Sequence, residues 1–376
     1  MGCATNKKFL RRTQVGTPSI EVLHELVKPA REALSKETWD YLMGGADTET
    51  TLERNRLAIE EIAFRPRVLR DVATVDLSTT FLGHKLRLPI ILAPIGSLQD
   101  LCPAGGVAPT KAAAAFGVLH MLSSVCKPGL EEVAAAAPAY PKIFQLYIRG
   151  DAAWVDERVA AAVAHGYAGL CLTVDLDYYG RRERDIAKRY KPTARRASGA
   201  TGAGDPFQQA FTWKDIARIR KNCPVPMFIK GIATAEDARM AVDQGVDVVY
   251  VSNHGGRQLD HGRGSLGDLP EVVEAVKGKC HIVVDGGIYR GADIVKAIAL
   301  GANAVGIGRL QGLALAAGGE AALLRALEIL EDETRRVVGL LGLTSFAQLD
   351  SSFLARATPL SRRGLDSPFP LLKEGY

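Results

Sequence analysis

Val246-Asp247-Val248-Val249-Tyr250-Val251 is followed directly by Ser252-Asn253-His254-Gly255-Gly256-Arg257-Gln258-Leu259-Asp260. The first run is apolar, β-branched and of strand length, so it predicts a buried strand. The second run predicts a glycine-flanked turn whose backbone a ligand can approach closely. A histidine can move a proton near neutral pH, and an arginine can grip a carboxylate through two parallel hydrogen bonds. The pair in this turn therefore predicts a site for an anionic ligand.

Outward from this strand, short apolar runs alternate with alanine-rich helical segments from about residue 88 onward. Regular βα alternation predicts a parallel sheet, and eight units predict closure into a (β/α)8 TIM barrel. An open doubly wound sheet is the alternative fold. The eight predicted strands are Leu88–Ala93, Val118–Leu122, Ile143–Tyr147, Gly169–Val174, Val225–Ile229, Val246–Val251, His281–Val284 and Ala304–Ile307.

The flanks of this repeat predict further elements. Residues 18–44 have helical periodicity that stops at Gly44-Gly45, which predicts an N-terminal helical prelude. A long loop follows the fourth strand, from Arg181 to about Trp213, and loops of this length are usually lids or disordered segments. A final helix is predicted over residues 318–340. We expect residues 1–16 to form a disordered basic tail and residues 17–376 to form one domain.

Composition limits the functional classes. The chain has 376 residues, of which 47% are hydrophobic and 24% charged, and a formal net charge of +5. These values are typical of a globular enzyme, and the mild positive charge is too diffuse to indicate nucleic-acid binding. The six scattered cysteines form no CxxC pair, which predicts reduced thiols rather than a metal or disulfide framework. We expect a soluble, cytoplasmic protein without a bound metal.

The residues at the strand ends carry the predicted chemistry, because active sites of such barrels lie at the carboxyl ends of the strands. Six of the eight ends offer a side chain that can hydrogen-bond or carry charge. Glycines after the seventh and eighth strands expose backbone N–H groups to an anion, as in the phosphate sites of these barrels. The strand-end residues are Pro94-Ile95-Gly96, Ser123-Ser124, Gln145, Tyr147, Thr173, Asp175, Lys230, Ser252, His254, Asp285-Gly286-Gly287 and Gly308-Arg309.

These motifs resemble those of the FMN-dependent (S)-2-hydroxy-acid oxidase and dehydrogenase family, which includes glycolate oxidase, lactate oxidase, L-lactate dehydrogenase and mandelate dehydrogenase. The likeness runs from about Tyr41 to residue 345, and the stretch from Ser252 to Asp260 is highly specific to the family. The motifs that carry it also include Phe64-Arg65-Pro66-Arg67, Phe144-Gln145-Leu146-Tyr147, Leu172-Thr173-Val174-Asp175, Gly180-Arg181-Arg182-Glu183, Ile229-Lys230-Gly231 and Asp285 through Arg309.

The resemblance implies a set of catalytic and substrate-binding roles. His254 would act as the base on a substrate proton, with Asp175 stabilising its charged form. Arg257 and Arg182 would bind the substrate carboxylate, helped by the Tyr41 hydroxyl. Tyr147 would hydrogen-bond the reacting hydroxyl. Breaking an α-C–H bond next to a carboxylate needs a base, an anion clamp and an electron sink, and these residues with a flavin supply all three.

The resemblance also implies FMN as cofactor. Lys230 would lie near the N1–O2 edge of the flavin and favour the negative charge of the reduced ring. Two groups of residues would hold the rest of the cofactor. The residues implied for the flavin ring and the ribityl group are Pro94, Ile95, Gly96, Ser123, Gln145, Thr173 and Ser252. The residues implied for the ribityl and phosphate end are Asp285, Gly286, Gly287, Tyr289, Gly308 and Arg309.

Several positions depart from the family pattern. Val125 stands where many members have tryptophan, and this change is expected to alter substrate choice. Leu176-Asp177-Tyr178-Tyr179 replaces a Thr-Pro-type sequence, and Asp177 and the tyrosines are expected to reshape the pocket or the lid. Tyr289 stands where an arginine often contacts the phosphate, so that charge is expected from Arg309, helped by Arg290. Gly96, where several oxidases have alanine, favours a dehydrogenase or slow reactivity with oxygen.

The substrate is therefore expected to be a small 2-hydroxy acid, with electrons passing to oxygen, a quinone or another carrier. Analogy with the family suggests a homo-oligomer, a tetramer or octamer. An isomerase or an IMP-dehydrogenase-like barrel is one alternative, but the latter needs a cysteine nucleophile after the sixth strand and none lies between Ser252 and Asp268. A non-catalytic flavin-binding protein is another.

Overall fold

The computed structural model describes residues 20–197, 204–360 and 362–376. The tail predicted over residues 1–16 lies outside the described residues, as do residues 17–19 and residues 198–203 of the Gly/Ala/Ser-rich segment. Within the described ranges, none of the helices combines the length and the apolar character needed to cross a membrane.

Eight parallel strands close into a barrel in the order β10-β11-β4-β5-β6-β7-β8-β9. All eight predicted strands are present, and helices surround them, which confirms the (β/α)8 prediction. The strands of the described residues are β1 Ile62–Phe64, β2 Thr79–Phe81, β3 His84–Leu86, β4 Ile90–Leu92, β5 Leu119–Ser123, β6 Ile143–Leu146, β7 Gly169–Thr173, β8 Met227–Ile232, β9 Val248–Val251, β10 His281–Val284, β11 Ala304–Ile307 and β12 Leu354–Arg356.

Burial on both faces explains why the barrel strands are apolar throughout rather than alternating. In β9, Val248 and Tyr250 pack in the cluster inside the barrel, whereas Val249 and Val251 pack outward in the cluster shared with the helices. The hairpin β2-β3, which the sequence analysis did not predict, closes the amino-terminal end of the barrel with the fully buried Phe81. This arrangement leaves the carboxyl ends of the strands open.

The helices follow the predicted rhythm. The helix predicted over residues 318–340 corresponds to the second part of α14 (Arg309–Leu340), because Gly318 and Gly319 have non-helical backbone angles and break α14 there. The α-helices of the described residues are α1 Val27–Ala33, α2 Lys36–Met43, α3 Thr50–Glu60, α4 Val107–Phe116, α5 Leu130–Ala136, α6 Ala152–Ala164, α7 Glu183–Ala187, α8 Thr193–Ala197, α9 Pro206–Gln209, α10 Trp213–Asn222, α11 Ala235–Asp243, α12 Ser265–Val276, α13 Gly291–Ala299 and α14 Arg309–Leu340.

The N-terminal prelude is confirmed as helical, but it is broken into two helices. Leu34 is extended, and Ser35 caps α2 by accepting a hydrogen bond from the Thr38 amide at 3.2 Å. Serine is a favoured N-cap because its hydroxyl satisfies an amide that has no partner in the first turn. The second helix ends before Gly44, as predicted. This break lets α2 bring Tyr41 to the mouth of the barrel.

The long connection after β7 is present, and its described part contains the short helices α7, α8 and α9. Asp100, in the loop after β4, accepts hydrogen bonds from the amide and the hydroxyl of Thr193. Arg184 and Lys188 form ion pairs with acidic residues of the prelude and the turn after it. The described part of this connection therefore lies over the mouth of the barrel.

Candidate active site

A cavity opens at the carboxyl ends of the barrel strands, and most of the predicted site residues line it. Four of them lie behind its wall instead: Ser123, Gln145 and Ser252 are almost fully buried, and Asp175 is reached through His254. The predicted residues that line the cavity are Tyr41, Pro94, Ile95, Gly96, Tyr147, Thr173, Arg182, Lys230, His254, Arg257, Asp285, Gly286, Gly287, Tyr289, Gly308 and Arg309.

His254 and Asp175 form the pair that the sequence predicts. His254 Nδ1 lies 2.9 Å from Asp175 Oδ1, so the opposite nitrogen, Nε2, faces the cavity and lies 3.4 Å from the Tyr147 hydroxyl. Burial lowers the pKa of His254 below its usual value, and the Asp175 carboxylate opposes that shift. Burial alone would raise the pKa of Asp175, but His254 and Lys230 lower it overall. The pair thus combines a neutral imidazole with an ionised carboxylate.

The glycine-flanked turn after β9 positions His254 in the cavity. His254 has a φ of +58°, a left-handed conformation that is uncommon outside glycine. Its amide donates to Ser252 Oγ at 3.1 Å, and the Gly256 amide donates to Asn253 Oδ1 at 3.0 Å. Asn253 is held in turn by Asn55 of α3. The surrounding bonds compensate for the unfavourable backbone conformation and fix the direction of the ring.

Two arginines lie beside the histidine. Arg257 Nη1 donates to the carbonyl oxygens of Tyr41 and Gly44 at 2.6 and 2.9 Å, and its guanidinium lies 4.9 Å from the centre of the Tyr41 ring. Burial lowers the pKa of Arg257, and the charge of Arg182 lowers it further. The described residues give neither guanidinium a carboxylate within 4.0 Å. Two half-buried cations without a carboxylate at contact distance are suited to binding an anion.

Gln258 is a functional residue that the sequence analysis missed. Its Nε2 donates to the carbonyl oxygens of Asp175 and Tyr178 at 2.9 and 2.7 Å, and its Oε1 accepts from Arg182 at 3.3 Å. It therefore ties the loop after β7 to the turn after β9. Its position inside the family-specific stretch could have indicated a role, but an uncharged glutamine does not by itself predict catalysis or anion binding.

A buried polar cluster lies at the ends of β8, β9 and β10. Lys230 Nζ donates to Ser252 Oγ at 2.7 Å and lies 3.3 Å from Asp285 Oδ2, while Ser252 Oγ donates to Asp285 Oδ1 at 2.6 Å. Burial alone would lower the pKa of Lys230, but Asp285 and Asp175 raise it overall. The lysine therefore carries a positive charge inside the cavity.

The ends of β10 and β11 form an open glycine cradle. Gly286 and Gly287 have φ values of +105° and +80°, and a Cβ placed on Gly308 would meet nothing within 4 Å. Arg309 Nη1 and Nη2 donate to the carbonyl oxygens of Gly255 and Gly44 at 2.8 Å each. Such a cradle of backbone and one arginine suits an anion.

Of the two neighbouring residues considered at this cradle, Tyr289 lines the cavity and Arg290 does not. Tyr289 is buried against Phe369 but still lines the cavity. Arg290 does not line it, because its guanidinium pairs with Glu333 at 2.5 Å. The expected help from Arg290 at the anion site is therefore wrong, and Arg309 remains as the guanidinium there.

Several buried polar atoms at the mouth lack a partner within the protein. Both side-chain polar atoms of Gln145, Thr173 Oγ1, Asp175 Oδ2 and Arg309 Nε are buried without a hydrogen bond among the described residues. Leaving such atoms unpaired costs about 1–3 kcal/mol each, so they indicate a bound polar group. They extend from the β6 and β7 ends to the cradle at β11, which fits an elongated polar ligand such as FMN.

Comparison with known proteins supports the same cofactor. Residues 30–356 match the FMN-dependent dehydrogenase family. Glycolate oxidase 1 of Zea mays is 39% identical over 338 residues, covering 85% of this chain and 91% of that protein. The L-lactate oxidase of Nostoc sp. is 39% identical over 354 residues, covering 88% and 97%.

Solved structures agree with the sequence relatives. A mandelate oxidase structure superposes with a TM-score of 0.83 at 35% identity, covering 90% of this chain and 98% of that one. Another mandelate oxidase structure, which holds an FMN adduct, superposes with a TM-score of 0.80 at 35% identity, covering 89% and 99%. The chain therefore belongs to the FMN-dependent dehydrogenase family and is an oxidoreductase whose cofactor is FMN.

Proposed function

We propose that this protein oxidises an (S)-2-hydroxy acid to the corresponding 2-oxo acid and passes the electrons through FMN to a second acceptor. The observation that carries the proposal is the cavity in which a histidine paired with a carboxylate lies beside two arginines that have no carboxylate within 4.0 Å among the described residues. A base and an anion clamp side by side fit a substrate whose reacting carbon is next to a carboxylate. The relatives named for glycolate, L-lactate and mandelate support the substrate class.

His254 would act as the base. Oxidation of C–OH to C=O removes two electrons and two protons, and His254 Nε2 would accept one of the protons. Since burial keeps the imidazole neutral near pH 7, its free nitrogen is ready to accept it. The bond from Nδ1 to Asp175 holds the ring and stabilises the imidazolium once it forms.

Arg257 and Arg182 would bind the substrate carboxylate, with the Tyr41 hydroxyl beside them. The bonds from Arg257 to two backbone carbonyls hold its guanidinium in one orientation before the substrate arrives. The Tyr41 hydroxyl donates to the Gly96 carbonyl at 3.2 Å, so it is also held in the cavity wall. A preorganised clamp spends less of the binding energy on ordering side chains.

Tyr147 would act on the reacting hydroxyl of the substrate, and Lys230 would act on the flavin. The Tyr147 hydroxyl lies 3.4 Å from His254 Nε2, within reach of a substrate hydroxyl held by the same nitrogen. FMN, when bound, would supply the acceptor for the electron pair of the α-C–H bond. Lys230, positively charged among the unpaired polar atoms of the cavity wall, would favour negative charge at the flavin ring.

The second electron acceptor is proposed to be a quinone or another carrier in preference to oxygen. This choice depends on Gly96 alone, where several oxidases of the family have alanine. A Cβ on Gly96 would lie 2.8 Å from Val125 Cγ2, so the glycine and the valine are packed as a pair. Measuring flavin reoxidation with oxygen and with a quinone analogue tests this part separately.

Anaerobic mixing of the FMN-loaded protein with a panel of (S)-2-hydroxy acids tests the main proposal. Loss of the visible absorbance of oxidised flavin with at least one acid, and formation of the 2-oxo acid, is the expected result. Unchanged absorbance with every acid of the panel would overturn the proposal and favour a barrel enzyme of another class or a non-catalytic flavin protein.

A further inference from the structure

The last part of the chain packs behind the glycine cradle at the ends of β10 and β11. We call residues 362–376 the C-terminal segment, and it contains short 3-10 helices at Gly364–Asp366 and Pro370–Glu374. The family match ends at residue 356, before this segment begins, and none of residues 362–376 lines the cavity. Any effect of the segment on the site must therefore pass through the residues that it contacts.

Phe369 connects the C-terminal segment to Tyr289, which lines the cavity. The Phe369 ring is fully buried and lies edge-on to the Tyr289 ring, with the ring centres 5.5 Å apart and an angle of 79° between the planes. His24 of the N-terminal prelude packs against the Phe369 ring in the same manner, at 5.6 Å and 76°. Edge-to-face aromatic pairs contribute to stability beyond the area that they bury. Phe369 therefore links the prelude to a residue of the cavity wall.

Ser367 connects the C-terminal segment to the backbone of the cradle through Arg56 of α3. Arg56 Nε donates to Ser367 Oγ at 3.0 Å, and Arg56 Nη1 donates to the Gly287 carbonyl oxygen at 2.5 Å. The same Nη1 pairs with Asp293 Oδ2 at 2.7 Å, and this oxygen also accepts the Tyr289 amide at 2.9 Å. Hydrogen bonds to ionised groups are the strong ones. A buried arginine that Ser367 helps to orient thus holds the cradle from behind.

The Tyr289 hydroxyl has no hydrogen-bond partner within the protein. Only 6% of the Tyr289 surface is exposed, yet none of the described residues forms a hydrogen bond with its hydroxyl. Burial raises the pKa of Tyr289, so the phenol keeps its proton at neutral pH, and the charge of Arg309 acts on it most strongly after burial. Since buried polar groups are nearly always hydrogen-bonded, this donor beside Arg309 indicates an acceptor on a bound ligand.

We propose that the C-terminal segment positions Tyr289 and Gly287 to bind the phosphate of FMN, with the Tyr289 hydroxyl donating to a phosphate oxygen. Phe369 would hold the Tyr289 ring in place. Ser367 would hold the Gly287 backbone through Arg56. Phe369 and Ser367 are positioning residues in this proposal, because neither touches the cofactor itself. The inference depends on FMN as the cofactor and not on the proposed oxidation of 2-hydroxy acids, so the two proposals fail independently.

Comparison of FMN with riboflavin, which lacks the phosphate, tests the proposal. The full-length protein is loaded with each flavin by exchange and diluted, and Kd is obtained from the recovery of flavin fluorescence. In Phe369→Leu, Kd for FMN is expected to rise about tenfold, as loss of a hydrogen bond to a charged group would give, while Kd for riboflavin changes about twofold or less. Ser367→Ala should change Kd in the same direction by about threefold. Equal losses for both flavins, or an unchanged Kd for FMN, would overturn the proposal.

Phe353→Leu is the matched control for Phe369→Leu. Phe353 is also buried, with 1% of its surface exposed, but it packs against Arg67 and does not line the cavity or contact a residue of the cradle. Because each substitution leaves space in a packed interior, Tm is expected to fall in both variants. The preference for FMN over riboflavin should fall only in Phe369→Leu. A similar fall in Phe353→Leu would reveal a general effect of stability and would contradict the proposal.

Hydrogen exchange in the unmodified protein tests the same coupling without a substitution. Because coupling between two sites is reciprocal, a segment that strengthens phosphate binding is itself stabilised when the phosphate is bound. Amides of residues 364–376 are therefore expected to exchange about tenfold more slowly with FMN bound than with riboflavin bound. The amides of the pair β1-β12 serve as the internal reference and should exchange equally with both flavins. Equal exchange of residues 364–376 with the two flavins would overturn the proposal.

Discussion

At the scale of single residues, the proposed reaction depends on the protonation state of His254. Burial lowers the pKa of the imidazole, and Asp175 opposes this shift. Because a base must be unprotonated, kcat/KM is expected to stay level through neutral pH and to fall only as the pH drops below the usual histidine pKa of about 6.5. Removing the carboxylate charge with Asp175→Asn should move this acid limb to lower pH and reduce kcat. A pH profile of both proteins measures the effect, and an acid limb that moves upward in the variant would contradict it.

Arg257 carries a second prediction at this scale. Arg257→Met removes one guanidinium of the carboxylate clamp, so KM is expected to rise by about tenfold or more with a smaller change in kcat. The variant also loses two bonds to the prelude, at Tyr41 and Gly44, so Tm is measured alongside. Arg257→Lys, which keeps the charge but not the fork, should lie between the two proteins. An unchanged KM in Arg257→Met would remove Arg257 from the clamp.

The individual site residues were more predictable from the sequence than the hydrogen bonds and ion pairs that they form. The glycine-flanked turn with His254 and Arg257 follows an unmistakable strand, so both residues could be assigned from the sequence. Gln258 and Asn55 could not, because their importance lies in which distant groups they bond: two backbone carbonyls for Gln258 and the Asn253 side chain for Asn55. Arg290 was assigned wrongly, since only the three-dimensional structure brings Glu333 next to it.

At the scale of elements, the contact between the loop after β7 and the turn after β9 positions the residues of the site. A Cβ on Gly180 would lie 2.2 Å from the Arg257 carbonyl and 2.8 Å from Gln258 Cα, so the loop after β7 can approach the turn after β9 only with glycine here. Gly180→Ala is therefore expected to push Arg182 away from Arg257 and to raise KM, with FMN content unchanged.

Gly267→Ala is the matched control for this variant. Gly267 lies within α12, and its added Cβ would have only an ordinary contact with Ala58 at 3.9 Å. Since alanine is favoured over glycine in helices, this change should leave KM unchanged and Tm unchanged or higher. A normal KM in Gly180→Ala, measured on protein with full FMN content, would contradict the account of the contact.

Asp260 connects the same turn to α3, and its ionisation should affect stability. Its carboxylate accepts hydrogen bonds from the Thr48 and Thr51 amides at 3.0 and 2.7 Å. Burial alone would raise the pKa of Asp260, but these bonds lower it overall. The carboxylate therefore stabilises the folded state above the unfolded-state pKa of about 3.9, and this stabilisation is lost as the pH falls towards the lower folded-state value.

Asp260→Asn measures that stabilisation. The substitution is expected to reduce the free energy of unfolding by about 1 kcal/mol at pH 7, as the weakening of hydrogen bonds to a charged group would give. The difference from the unmodified protein should shrink as the pH is lowered below about 4. Urea denaturation at several pH values provides the measurement, and a difference that grows on acidification would be inconsistent with the assigned role.

At the scale of the whole molecule, the sequence predicted the barrel but not the short strand pairs outside it. Eight apolar runs at regular spacing identified the barrel, because parallel strands buried on both faces leave a strong signal. The hairpin β2-β3 and the pair β1-β12 were missed, since three-residue strands have no periodicity to detect.

The rate of anaerobic flavin reduction in His254→Ala tests the central claim most directly, since it requires the barrel to bring base, clamp and flavin together. With FMN content verified by absorbance, the variant is expected to reduce its flavin about 10² to 10⁴ times more slowly than the unmodified protein with the same 2-hydroxy acid. A nearly normal rate of reduction in a fully FMN-loaded variant would contradict the account.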